Sequence, residues 1–266
     1  MTERPPRVLV IAGSDSGGGA GVQGDIKTLT ALGGYAATAI TAITVQNTQG
    51  VSAIERLPPA LVSAQARAVI EDLGADAIKT GMLGDAAIVA VVADLLDAHP
   101  HLPAVIDPVL LAKGGARLLD DEGLEMLRRR LIPRAALLTP NLPEAEVLTG
   151  LTLATLDDRR RAADALMAQG AAAVLIKGGH APGPRVIDLL VSSAGETQFE
   201  SERLETRHTH GTGCALASAC ALGLARGRSA EHAVAEAWAY VAEAIRRAPG
   251  FGRGAGPLAH AWPGLL

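Results

Sequence analysis

The chain has no excess of positive charge. Its 24 Lys and Arg against 28 Asp and Glu leave a formal net charge of −4 and a pI near 6.0. A net basic field that would draw in nucleic acid or an anionic membrane is therefore missing, and a small-molecule partner fits better. No stretch approaches the ~18 uninterrupted apolar residues of a membrane span. The Ala-rich segment from Ala215 to Ala225 is too short and is broken by Gly223. The first residues, MTERPPRVLVIAGSD, run into a glycine-rich turn without the longer apolar region and cleavage site of a secretory signal. Only two cysteines occur, Cys214 and Cys220, six apart on one expected helix and so unable to pair. These absences together point to a reducing cytoplasm. Lysine is scarce too, since 20 of the 24 basic residues are arginine. Of Lys27, Lys79, Lys113 and Lys177, three stand within two residues of a following glycine, where a compact ammonium beside a phosphate is one use for them.

What is present is the balance of a well-packed enzyme, 48% hydrophobic and 20% charged. Apolar runs at 7–13, 35–45, 75–81, 103–109, 135–141 and 172–180 alternate with helical patterns near 20–32, 58–73, 84–98, 120–130 and 156–169. This βαβα rhythm predicts a mostly parallel sheet with helices on both faces. After Gly179 a polar-turned hairpin predicts an antiparallel edge, followed by helices from near Gly213 and from Ser229 to Arg247. With no Pro/Ser-rich linker and no internal repeat, residues 1–266 read as one three-layer α/β/α domain.

In such sheets ligands bind beyond the carboxyl ends of the strands. The residues there are Gly13-Ser14-Asp15, Gln46-Asn47-Thr48, Lys79-Thr80-Gly81-Met82, Asp107-Pro108, Thr139-Pro140-Asn141 and Lys177-Gly178-Gly179. Thr209-His210-Gly211-Thr212-Gly213-Cys214 opens a long apolar helix, where free N–H groups and the helix dipole favour a phosphate. The same position predicts a lowered pKa for Cys214, although glycines and Thr212 capping a helix over a buried Cys is the plainer alternative. The loop Gly17-Gly18-Gly19-Ala20-Gly21 fits neither Walker A nor a clean G-x-G-x-x-G. A flat ring over it, with Asp25 and Gln46 at its edge, stands beside a simple tight turn in which Asp25 faces the helix dipole. Asp107 and Glu144 are oxygen donors suited to Mg²⁺, while Asn141 and Glu144 also have capping-box spacing. His208 and His210 lack a third partner for a metal.

Taken in order, IAGSDSGGGAGVQGDIKT (11–28), ITAITVQNTQGV (40–51), IKTGML (78–83), VIDPVLLAKGG (105–115), LLTPNLPEAEVLTG (137–150), VLIKGGH (174–180) and THGTGCALASA (209–219) resemble the hydroxymethylpyrimidine/phosphomethylpyrimidine kinase family. That family lies within the ribokinase-like superfamily. The resemblance implies ATP held near Lys177, Thr139, Asn141, Thr209, Gly211 and Thr212, and Mg²⁺ at Asp107 and Glu144. It places the pyrimidine by Gln46 with Ala20, Asp25, Met82 and Val109 nearby, and gives catalytic roles to Cys214, Gly211, Gly213 and Lys177. It also implies a homodimer and a flap around Lys113 to Arg117. Cys214 stands where related sugar kinases carry an aspartate base. The chain departs from the family at Gly24, usually Ala, and at Leu110, usually Met. Two rival readings are a pyridoxal kinase and a non-catalytic sensor that kept the pocket. Gln46 and the QNT segment argue against the first, and the Asp107, Lys177 and GTGC set against the second.

Overall fold

A computed structural model describes residues 4–111 and 117–265. Lys113 and most of the expected flap lie outside the described residues. The chain begins β1 (Arg7–Asp15), α1 (Gly21–Ala31), β2 (Tyr35–Asn47), β3 (Gly50–Arg56), α2 (Pro59–Asp72), β4 (Ala77–Thr80), α3 (Ala86–Ala98) and β5 (Ala104–Ile106). It continues α4 (Asp121–Met126), β6 (Ala135–Leu138), α5 (Leu142–Thr149), α6 (Leu156–Ala168), β7 (Ala173–Ile176), β8 (Arg185–Ser192), β9 (Gly195–Glu202), α7 (Thr212–Ala225) and α8 (Ala230–Arg246).

The strands form one sheet in the order β3-β2-β1-β4-β5-β6-β7-β8-β9. From β2 to β7 neighbours pair in parallel, and β8 and β9 add antiparallel as the hairpin pattern predicts. At the opposite edge β3 folds back antiparallel on β2, an element not read from the sequence. Alternation along the buried strands sorts side chains into two cores. Leu9 and Ile11 of β1 pack with α2, α3, α5 and α6, whereas Val8, Val10 and Ala12 pack with α1, α7 and α8.

Local chemistry fixes where helices start. Asn141 caps α5 and exchanges hydrogen bonds with Glu144 in a full capping box, with Pro143 tolerated in the first turn. Gly211, with φ of 87°, is the N-cap of α7 in a left-handed conformation. A Cβ there would also lie 1.8 Å from the Gly19 carbonyl oxygen, so the loop before α7 can touch the loop after β1 only as glycine. Leu110 is buried in the core, and its carbonyl accepts the Leu118 N–H at 2.8 Å.

Candidate active site

Beyond the carboxyl ends of the strands lies a cavity of about 200 Å³. It brings together Ala20, Gln46, Met82 and Val109 with Asp107, Asn141, Glu144, Lys177 and the run from Thr209 to Cys214. Most of the expected site residues therefore share one space.

Lys177 follows β7, and its backbone N–H is held by the Pro140 carbonyl at 2.9 Å. The next residue, Gly178, donates its N–H to the buried Asp188 carboxylate at 2.6 Å. The turn thus aims the Lys177 ammonium at Asp107, 2.9 Å away, and Thr139 donates to the same carboxylate oxygen at 3.2 Å. A side chain at Gly213 would place its Cβ 3.1 Å from Lys177 Nζ, so the first turn of α7 runs close against this pair. Glu144 is nearly buried, and its carboxylate accepts the Asn141 N–H at 2.8 Å. Burial pushes its pKa up to about 7, the nearby charge of Asp107 adding to the effect and Lys177 opposing it. Two acidic groups crowded this way form a place where a further cation is electrostatically welcome.

The substrate side is organised by β2. A bulge between Val45 and Gln46 breaks the β2–β3 register there. The Ser16 hydroxyl grips the Gln46 backbone, accepting its N–H and donating to its carbonyl, both at 2.8 Å. Asp15, unassigned by sequence reasoning, anchors the glycine loop by accepting N–H groups from Gly17, Gly19 and Ala20 at 2.8, 3.1 and 2.8 Å. His210 Nε2 meets the same carboxylate at 2.8 Å. This pairing, rather than a shared metal with His208, is what His210 does in the fold. Among the described residues no group of three His, Cys, Asp or Glu is arranged to hold a metal ion.

Three expectations need correction. Asp25, expected at the ring edge, is fully buried on the inner face of α1 and paired with Lys79 at 2.8 Å, with the Ser218 hydroxyl also donating to it. It does not reach the cavity wall. Thr139 is likewise fully buried, supporting Asp107 from behind. Cys214 does line the cavity, but its pKa is raised to about 11 rather than lowered. Burial is the larger influence, and Asp25 and Asp107 add to it, outweighing the attraction of Lys79. As for Gly24, an added Cβ would lie 2.9 Å from the Gly19 carbonyl oxygen, so in this chain the glycine loop sits too close for the alanine usual elsewhere.

Comparison with known proteins gives a consistent answer. The phosphomethylpyrimidine kinase family model matches residues 15–259. A hydroxymethylpyrimidine/phosphomethylpyrimidine kinase of Streptomyces coelicolor is 50% identical over 258 residues, covering 97% of this chain and 95% of that one. The thiamine biosynthesis bifunctional protein ThiED of Geobacter sulfurreducens is 47% identical over 253 residues, covering 95% of this chain and 52% of that protein. Among solved structures, an ADP complex of Bacillus subtilis pyridoxal kinase superposes with a TM-score of 0.91 at 34% identity, covering 99% of this chain and 100% of that one.

Proposed function

Because the chain belongs to the phosphomethylpyrimidine kinase family, a family of ribokinase-like phosphotransferases, we propose that the cavity beyond its sheet is the phosphoryl-transfer site. The reaction is ATP-dependent phosphorylation of 4-amino-5-hydroxymethyl-2-methylpyrimidine and then of its monophosphate, in thiamine biosynthesis. The observation that carries the site assignment is the Lys177–Asp107 pair standing beside the start of α7 in the cavity that Gln46 also lines.

Phosphoryl transfer asks mainly for positioning and charge stabilisation. Lys177 and the first turn of α7, reached through Gly211, Thr212 and Gly213, supply positive charge for the phosphates, with Thr209 and Asn141 alongside. Asp107 and Glu144 fit Mg²⁺, since both are oxygen donors and the burial and mutual repulsion described above favour an added cation. When bound, that ion neutralises charge on the transferred phosphoryl group. Thr139 steadies Asp107 from the buried side. Gln46, Ala20, Met82 and Val109 hold the pyrimidine, with Asp25 shaping their support from within α1. Cys214 is a thiol at neutral pH. As a thiol it orients the acceptor hydroxyl by hydrogen bonding, and only its minor thiolate form can take the hydroxyl proton, becoming the thiol as the new P–O bond forms. A homodimer and a cytoplasmic setting accompany this reading on family likeness.

The test is ADP release with ATP, Mg²⁺ and the pyrimidine alcohol, resolving mono- and diphosphate, for wild type and Cys214→Ala. Diphosphate from the wild type and a loss of roughly 10²-fold in the variant support the assignment. The likeness to pyridoxal kinase sustains one alternative. No product from the pyrimidine, with turnover of pyridoxal, would move the chain to that activity.

A further inference from the structure

Four side chains beside the cavity form a hydrogen-bond chain whose proton positions are set from one end. Asp15 is 3% exposed and collects three backbone N–H groups. Burial works against its charge, but the His210 bond and the loop N–H groups outweigh it and hold its pKa below the usual carboxylate range. An ionised carboxylate only accepts hydrogen bonds. His210 Nε2, 2.8 Å from Asp15 Oδ2, must therefore carry the hydrogen.

That assignment propagates. His210 Nε2 also lies 3.4 Å from the atom placed as Gln46 Nε2, so two N–H donors would face one another. On the other side the Thr44 hydroxyl has one hydrogen, and the Ser14 carbonyl at 2.8 Å takes it. Thr44 then has nothing to donate to Gln46 Oε1 at 3.3 Å. The oxygen and nitrogen of an amide have nearly the same shape, and their placement follows from their partners. Exchanging them removes both conflicts: Gln46 Nε2 donates to Thr44 Oγ1, and Gln46 Oε1 lies against the polarised His210 Nε2–H, whose hydrogen is held mainly by Asp15.

We propose that the Asp15–His210 pair locks the Gln46 amide with its carbonyl oxygen toward His210, making Gln46 an acceptor that selects a ring bearing a hydrogen-bond donor, such as an exocyclic amine. This deepens the pyrimidine-kinase reading and rests on it for the choice of substrate. The lock is firm because the Gln46 backbone is itself clamped by Ser16. A ring that offers only an oxo or phenolate oxygen at that position meets a carbonyl lone pair and leaves both groups without a partner. Asp15 and His210 are positioning residues, acting on specificity through Gln46.

The experiment compares kcat/KM for the 4-amino pyrimidine alcohol and its 4-oxo counterpart in wild type, His210→Leu and His210→Gln. The wild type should favour the amine by roughly 10²-fold or more, as sites built around one hydrogen-bonding group do. His210→Leu should narrow that ratio about tenfold, the size expected for one hydrogen bond. His210→Gln keeps an N–H near the Nε2 position and should restore most of it. Equal losses on both substrates, with the ratio unchanged, would show that His210 only braces the loops and would overturn the proposal. A ¹⁵N NMR spectrum of the ligand-free protein reads the lock without turnover. A proton on His210 Nε2 supports it, and a proton on Nδ1 alone overturns it. Wild type inactive on both pyrimidines would sink the kinase reading and the substrate choice with it, while the Nε2 tautomer would still support the locked amide.

Discussion

Two lysine–aspartate pairs lie at this sheet, alike in chemistry and opposite in setting. Lys79 and Asp25 meet at 2.8 Å with both side chains fully buried. The second carboxylate oxygen lies 3.0 Å from the same ammonium, and Ser218 donates to it at 2.8 Å. Lys177 and Asp107 meet at 2.9 Å and both line the cavity, with 13% of the Lys177 side chain exposed. Of the inner pair only Lys79 borders the cavity, and it does so with no exposed surface. Burial alone would draw either lysine toward its neutral form. In each the attraction of the aspartate wins, and the pKa rises above the ordinary lysine value. The difference is in what else can approach. Lys79 is gripped by both oxygens of a carboxylate that is itself fully buried, while the outer pair stands beside the glycine start of α7, where a phosphate could take Asp107's place. The inner pair is built for the fold, and the outer one for a ligand.

The largest effect should come from breaking the inner pair on one side. Asp25→Ala leaves a buried ammonium without its partner and should cost about 3–5 kcal/mol in urea denaturation. Replacing both partners, Asp25→Leu with Lys79→Met, should recover most of that loss, since no uncompensated charge remains. A cost below about 1 kcal/mol for Asp25→Ala would mean that water reaches the pair, and the contrast with the outer pair would collapse.

The outer pair should show the reverse order. Lys177→Met should lower kcat by roughly 10²–10³-fold, or about 2.7–4 kcal/mol of transition-state stabilisation. Its urea midpoint should move less than that of Asp25→Ala, because Asp107, though buried, lines the cavity and keeps the hydrogen bond from Thr139. Steady-state kinetics alongside denaturation would check both halves. An unchanged kcat with a large stability loss would make this pair structural as well.

The parallel heart of the sheet was legible because its strands are buried on both faces and read as continuous apolar runs. β3 was not. Its sequence, Gly-Val-Ser-Ala-Ile-Glu-Arg, keeps every residue at least partly exposed, so no buried face imprints an alternating pattern. In the site, glycines and strand-end polar residues marked the cavity, but their pairing did not show. Lys79 and Asp25 lie 54 positions apart, and Asp15 and His210 lie 195 apart. A lysine before a glycine reads the same at Lys79-Thr80-Gly81 and Lys177-Gly178, and only the fold buries the first. The Cys214 pKa was misread because the helix dipole was visible in the sequence and burial was not. A dipole offers ~0.3–1 kcal/mol, whereas the net rise from 9.0 to about 11 corresponds to about 3 kcal/mol against the thiolate.

Cys214 lies within electrostatic reach of both pairs, and this gives the finest test of the comparison. Lys79 favours its thiolate, Asp25 and Asp107 oppose it, and Lys177 interacts with it as well. A thiol whose pKa is raised to about 11 exists at pH 8 as roughly one thiolate in a thousand, and the thiolate is the species that reacts. Iodoacetamide should therefore label Cys214 slowly at pH 8 and about tenfold faster for each pH unit up to pH 10, with the site followed by peptide mass spectrometry. Cys220, fully buried in α7, serves as the unreactive control within the same protein. In Lys177→Met a favourable charge near the thiolate is lost, so the profile should shift to higher pH by a fraction of a unit. A shift to lower pH would mean that Lys177 does not favour the thiolate, and the link between Cys214 and the outer pair would fall.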